Sequence, residues 1–217
     1  MIVYSHDRWR FPLPGHHKFP IDKYLLLRER VEADALAEVR ESEPVAWSSL
    51  ELVHDRALLS RIRSGRLSVR EERGLGLPWS AELVERGRRS VGGTIAAARD
   101  AVAAGLGMNL GGGTHHAGRA FARGYCLFND VAVALRLLRD AGEVERAVIV
   151  DCDVHQGDGT ADVFADDART FTLSVTPEEA QKLILAEEKG KIRLALRAMD
   201  DHDAAQLGAT PLNAVRP

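Results

Sequence analysis

The chain has 217 residues, of which 45% are hydrophobic and 28% charged, with a formal net charge of -3. That length can bury one large core, and the balance excludes both a polar disordered chain and, with no long apolar run, a membrane span. The slight negative charge gives no basic footprint for nucleic acid.

Met1 to Arg10 carries His6, Asp7, Arg8 and Arg10 where a signal peptide needs an apolar stretch, so the expected location is the cytosol. Ile2-Val3-Tyr4 predicts a short strand, and the proline-rich segment 11–20 predicts a loop, because proline cannot donate to a ladder. Tyr24, Leu27, Val31, Ala35 and Val39 recur at helical spacing and predict a helix over Ile21 to Val39, with a shorter apolar pattern from Leu52 to Ile62. Ser80 is placed to cap a longer helix whose apolar face is Leu83, Val84, Val91, Ile95, Ala98 and Val102, closed by Gly105 and Gly107. Asn129 or Asp130 caps a further helix over Val131 to Leu138.

Arg146-Ala147-Val148-Ile149-Val150 is a continuous apolar run, which predicts a strand buried on both faces of a parallel sheet. Phe171 to Val175 predicts the next strand, after a short helix. Helix and strand therefore alternate, and the expected fold class is α/β, a parallel sheet with helices on both faces. In such sheets the site lies beyond the carboxyl ends of the strands, where Asp151 to Asp158 emerge.

The segment Asp151-Cys152-Asp153-Val154-His155-Gln156-Gly157-Asp158-Gly159 concentrates carboxylates and an imidazole at one strand end. On an extended backbone, residues two apart share a side, so at least two of Asp151, Asp153 and His155 can converge on one cation. Oxygen and imidazole donors suit Zn²⁺, with Fe²⁺ as the alternative. Taken alone, the same pattern equally describes a polar loop whose acids cap the next helix. Gly111-Gly112-Gly113-Thr114-His115-His116 adds two adjacent imidazoles, the side chain suited to proton transfer near neutral pH. Cys126 and Cys152 are too few for a disulfide framework and read as reduced, small hydrophobes.

Three motifs now stand in order: Gly112-Gly113-Thr114-His115-His116-Ala117, then Gly124 to Asp130, then Asp151 to Thr160. Together they resemble the signature of the histone deacetylase family, with its arginase/deacetylase fold, and the likeness runs from the proline-rich loop to Val175. The resemblance implies that Asp153 and His155 ligate a divalent metal, and that His116 is the general base activating the attacking water. His115 would be a second, electrostatic histidine, with Asp151 orienting His115 and Asp158 orienting His116. Gly124 and Tyr125 would line a channel for an acyl-lysine-like chain. A structural K⁺ would be held by Asp151, by the Ser174 hydroxyl and by the carbonyls of Asp153, His155 and Val175. The implied reaction is hydrolysis of an acetyl amide, of acetyl-lysine or a small N-acetylated amine such as an acetylpolyamine. A ureohydrolase, which has a related fold but binds a metal pair, fits the D-x-D-x-H spacing with tandem histidines less well.

After Val175 the family pattern ends. A third metal-binding aspartate and the oxyanion-donating tyrosine are not recognisable, since the tyrosines are Tyr4, Tyr24 and Tyr125. Residues 1–175 are thus expected to form a partial catalytic domain, and 176–217 a divergent or unrelated tail that resembles, more weakly, the end of a Flp pilus assembly protein. Thr176-Pro177-Glu178-Glu179 reads as a capping box, followed by a helix over Ala180 to Lys189, Gly190 after it and a strand at Ile192 to Leu196. Asp200, Asp201, His202 and Asp203 offer a replacement carboxylate or a merely solvated terminus. A partial sheet would expose an edge and an apolar face, so self-association is expected. The contrasting function is a catalytically dead deacetylase-fold remnant or binding protein.

Overall fold

The computed structural model describes residues 1–176 together with 178, 179, 181 and 182. The chain divides into two compact units, Met1–Thr176 and Pro177–Pro217. Of the second unit, residues 178, 179, 181 and 182 are helical. The rest of the helix expected over Ala180 to Lys189, at residues 180 and 183–189, and the expectations for Gly190, Ile192 to Leu196 and Asp200 to Asp203 lie outside the described residues.

The first unit is α/β. Strand β1 (Ile2–Ser5) is the centre of a three-stranded parallel sheet, flanked by β2 (Glu38–Glu41) and β3 (Met108–Asn109), with helix α1 (Asp22–Ala33) crossing from β1 to β2. Between β2 and β3 run α2 (Trp47–Leu50), α3 (Arg56–Ser64), α4 (Val69–Leu75) and the long α5 (Ala81–Ala104). Helix α6 (Asp130–Asp140) leads to a second, two-stranded parallel sheet of β4 (Ala147–Asp151) and β5 (Thr170–Ser174), joined by α7 (Asp158–Phe164).

Apolar residues of α3, α5 and α6 make the core: Leu58 and Ile62, Val91 and Ile95, Ala132 and Val133. The Ser80 hydroxyl accepts from the Leu83 N–H at the start of α5, and Gly105, at φ 84°, ends it. Gly92 lets α5 touch the loop between β2 and α2, since a Cβ there would fall 1.8 Å from the Glu43 carbonyl oxygen.

Three expectations are corrected. The first helix stops at Ala33 rather than running to Val39, because Ala35 takes φ 50° and the Leu36 N–H donates to the Val31 carbonyl. Val39 then pairs with Val3 in the sheet. Strand β4 is not buried on both faces: Ile149 packs towards the core, whereas Val148 and Val150 are exposed on a side that no described residue covers. Cys152, read as a small hydrophobe, is exposed, while Cys126 is buried and its thiol is pushed up to about 12 by burial. Four elements, β2, α2, α4 and β3, were not anticipated, although Ser68 and Glu71 form a capping box at the start of α4.

Two buried imidazoles give the fold a pH dependence. Burial, aided by the Arg86 guanidinium, pushes His6 down to about 3, and burial pushes His54 down to about 4. Both values lie below the unfolded value near 6.5, so the unfolded chain takes up protons first as pH falls. Their contribution is complete above about pH 6.5 and is lost through the window down to about 4 and then 3. By pH 4.5 each should have withdrawn between about 2 and 3 kcal/mol, since one pKa unit is worth about 1.4 kcal/mol. Urea melts between pH 7 and 4.5 should show this fall, and a flat midpoint over that range would contradict it.

Candidate active site

The loop that carries the two histidines is shaped by one buried acid. Asp130, fully buried at the first position of α6, accepts from the Gly113 N–H (3.0 Å), the Thr114 N–H (2.8 Å) and the hydroxyls of Thr114 (2.7 Å) and Thr94 (2.5 Å). The helix N-terminus favours the carboxylate there. Gly112 is required beside it, because a Cβ would sit 2.5 Å from an Asp130 oxygen.

The loop's far end is held by Asn129 and His54. The Asn129 amide donates to the carbonyl of Ala117 (3.0 Å) and to Thr160 Oγ1 (3.1 Å). The His54 Nδ1–H donates to the Gly118 carbonyl (2.8 Å), while Nε2 accepts from the Asn129 N–H (3.0 Å). A carbonyl only accepts, so His54 is fixed as the neutral Nδ1–H tautomer.

The histidines meet the acids of the β4 end. His115 Nδ1 lies 2.6 Å from Asp151 Oδ2, and His116 Nδ1 lies 2.6 Å from Asp158 Oδ1. Each carboxylate must accept, so each ring carries its proton on Nδ1 and leaves Nε2 free for chemistry. The His115 and His116 rings lie 4.2 Å apart, centre to centre.

Beyond Asp151 the backbone is no longer a strand, so alternation does not govern the next side chains. Two successive turns replace it: Asp151 Oδ1 accepts from the Asp153 N–H (3.0 Å), and Asp153 Oδ1 accepts from the His155 N–H (2.8 Å). The His155 amide N–H holds the Asp153 carboxyl below its ordinary value. The turns bring Asp153 Oδ1 within 2.8 Å of His155 Nδ1, and His115 Nε2 stands 3.9 Å from the same oxygen. Asp151 therefore faces His115, while Asp153 and His155, both exposed, form a separate pair.

Ser174 lies opposite Asp151 in the β4–β5 register, and the Val175 N–H donates to the Asp151 carbonyl (2.9 Å). These strand ends thus stand side by side, with Ser174 exposed and Val175 partly buried.

Gly124 and Tyr125 occupy a tight turn. They take φ 58° and 67° between Arg123 and Cys126, which form an antiparallel bridge, the positive-φ pattern of a type I′ turn. Tyr125 is a bulky non-glycine in that region, a conformation held against its own preference. It persists because the N–H groups of Gly124 and Tyr125 donate to the carbonyls of Gly74 (3.1 Å) and Leu75 (2.8 Å). The Tyr125 ring packs edge-on to Phe19 at 5.2 Å.

Asp153 and His155 offer one oxygen and one nitrogen, a donor pair suited to zinc. At 2.8 Å the two atoms are closer than the roughly 3.3 Å of neighbouring donors in a tetrahedral zinc site, so they would open slightly to admit an ion. A catalytic zinc takes three protein ligands. Among the described residues no group of three or more His, Cys, Asp or Glu is disposed to hold a metal, so they fit two of the three positions.

Sequence reasoning did not single out Arg123, whose Nη2 lies 2.9 Å from Asp158 Oδ2, nor Thr94, and it gave His54, within the stretch of family likeness, no role in shaping the histidine loop. Asp130 was read only as a helix cap.

Comparison with known proteins agrees with the motif order. The histone deacetylase domain profile matches residues 17–181. An uncharacterized protein of Picosynechococcus sp. is 41% identical over 179 residues, covering 80% of this chain and 59% of that protein. Acetoin utilization protein AcuC of Bacillus subtilis is 30% identical over 189 residues, covering 81% of this chain and 48% of that one. Among solved structures, an HDAC homolog complexed with SAHA superposes with a TM-score of 0.68 at 26% identity, over 81% of this chain and 50% of that one. An HDAC homolog from Aquifex aeolicus gives the same TM-score, 0.68, at 24% identity, again over 81% of this chain and 50% of that one. The chain thus spans roughly half of the length of most of these relatives.

Proposed function

This chain belongs to the histone deacetylase family, and from that premise we propose that it is a metal-dependent amide hydrolase acting on acetyl-lysine or a small N-acetylated amine. The observation that carries the reading is the pair of His–Asp contacts at 2.6 Å, which presents two imidazole Nε2 atoms beside the Asp153–His155 pair.

Asp153 and His155 would hold the divalent cation, Zn²⁺ or Fe²⁺. Bound there, the cation would polarise the amide carbonyl and make water more acidic. His116 Nε2 would take the proton from the attacking water, with Asp158 steadying the ring as it becomes charged. His115, held by Asp151, would stabilise developing charge and help return a proton to the departing amine. Acetate and a free amine would result. Gly124 and Tyr125 would line the approach of the acyl-bearing chain, because a Cβ at Gly124 would stand 2.6 Å from the His116 ring. A cavity lined by His6, Arg86, Thr114 and Tyr125 adjoins them, and the buried Arg86 cation there suits the carboxylate product. Asp151, Ser174 and the carbonyls of Asp153, His155 and Val175 would hold a structural K⁺.

A second reading, a binding protein without turnover, is favoured by one observation: the described residues offer two metal donors rather than three. The same experiment separates the two. The purified chain is expected to retain zinc at one ion per chain and to release acetate from an acetyl-lysine peptide, an activity that chelator removes and zinc restores. Zinc retention without acetate would select the binding reading, and absence of both would reject metal-dependent hydrolysis for this chain.

A further inference from the structure

The two His–Asp pairs look alike, yet their carboxylates differ in what holds the second oxygen. Asp151 Oδ1 accepts a backbone N–H, that of Asp153, at 3.0 Å. Asp158 Oδ2 is held by a cation: the Arg123 guanidinium, at 2.9 Å. We propose that Arg123 is a positioning residue for His116, acting through Asp158, and that the Arg123–Cys126 turn is a clamp on this one pair.

Three independent features support the clamp. Arg123 reaches Asp158 directly, and a bidentate-capable guanidinium fixes both the place and the charge of a carboxylate better than water does. The next residue, Gly124, lies so close to the His116 ring that a Cβ would approach Cδ2 to 2.6 Å, so the turn's backbone limits the ring from another side. The turn itself is held in its strained form by hydrogen bonds to the end of α4, at Gly74 and Leu75. Strain kept at such a position is spent on placing something, and what this turn places is a cation on one face of the Asp158 carboxylate and a side-chain-free backbone against the imidazole. Among the described residues the His115 pair also has a glycine against it, Gly157, where a Cβ would fall 2.5 Å from Asp151 Oδ2, but no guanidinium reaches its carboxylate, which sits at the strand end and depends on β4 and the following turn.

The inference rests on His116 being the working base, but its test needs no turnover, so failure of one does not imply failure of the other. In the ¹⁵N-labelled full chain, long-range proton–nitrogen spectra report the tautomer of each ring and the exchange of each Nδ1 proton, with His115 as internal reference. The Arg123 side chain is 55% exposed, so Arg123→Met should fold. It is expected to speed exchange of the His116 Nδ1 proton roughly fivefold, the factor corresponding to an ion pair of about 1 kcal/mol, and to leave His115 within about twofold. Arg123→Lys, which keeps the charge, should restore most of the protection.

Unchanged exchange at His116, an equal rise at both histidines, or the same loss with lysine as with methionine would each overturn the proposal. Should Arg123→Met not fold, salt gives the same answer in the unaltered chain. At about 1 M salt the screening length falls to about 3 Å, and protection at His116 should drop more than at His115. Equal or absent change would again overturn it.

Discussion

Replacing Asp130 with alanine is expected to destabilise the chain by at least about 3 kcal/mol and to lower its melting midpoint by roughly 6–12 °C. The Asp130 carboxylate is the shared acceptor for the Gly113 and Thr114 N–H groups and the Thr94 hydroxyl, within a site where Asp130 itself has no exposure. Alanine removes the acceptor but not the part-buried donors aimed at its fully buried position, and each donor left unmet there costs about 1–3 kcal/mol. The Thr114 hydroxyl keeps a second acceptor, the Phe128 carbonyl at 2.6 Å, and so is not counted. Asp130→Asn keeps one acceptor oxygen and should fall between parent and alanine. A melt of Asp130→Ala within 2 °C of the parent, on the order of a surface substitution, would show that water or a loop shift replaces the carboxylate.

The path from Asp130 to the histidines runs through hydrogen bonds to Gly113 and Thr114 and then one peptide bond to His115, so part of the site follows chain order and part depends on tertiary contact. Local signals sufficed where one element acted alone. The apolar run ending in Asp151 announced strand β4, and Ser80 and Gly105 announced the ends of α5, because caps and periodicity depend on neighbours in the chain. The paired motifs around His115 and Asp151 also carried their family likeness in plain residue order.

Contacts set by tertiary geometry were not legible. Val39 satisfies a helical spacing and a strand equally well, and only pairing with Val3 decides between them. Asp130 presents in sequence as a helix cap, while its role as acceptor for the Gly113–Thr114 turn requires α5 and α6 to be packed together. Arg123 reaches Asp158 from the start of a turn in which Tyr125 adopts a left-handed conformation, which no propensity rule assigns to tyrosine. The approach of Asp153 to His155 likewise depends on two side-chain-to-backbone turns rather than on strand alternation.

His116→Ala is expected to lower kcat/KM for an acetyl-lysine substrate by about 10²–10⁴-fold while leaving zinc content unchanged. The reasoning follows from which atoms are committed. Asp158 accepts from His116 Nδ1, so Nε2 is the ring's remaining base, and the His155 ring stands 5.9 Å away, centre to centre. Alanine deletes that base without touching Asp153 or His155, so binding of the ion and transfer of the proton should separate cleanly. Asp158→Asn should give a smaller loss, because the ring remains but its tautomer and charge lose their support. Zinc lost together with activity in His116→Ala would mean that the ring belongs to the metal site, and activity within about threefold of the parent would remove His116 from the chemistry, leaving general-base catalysis to another group.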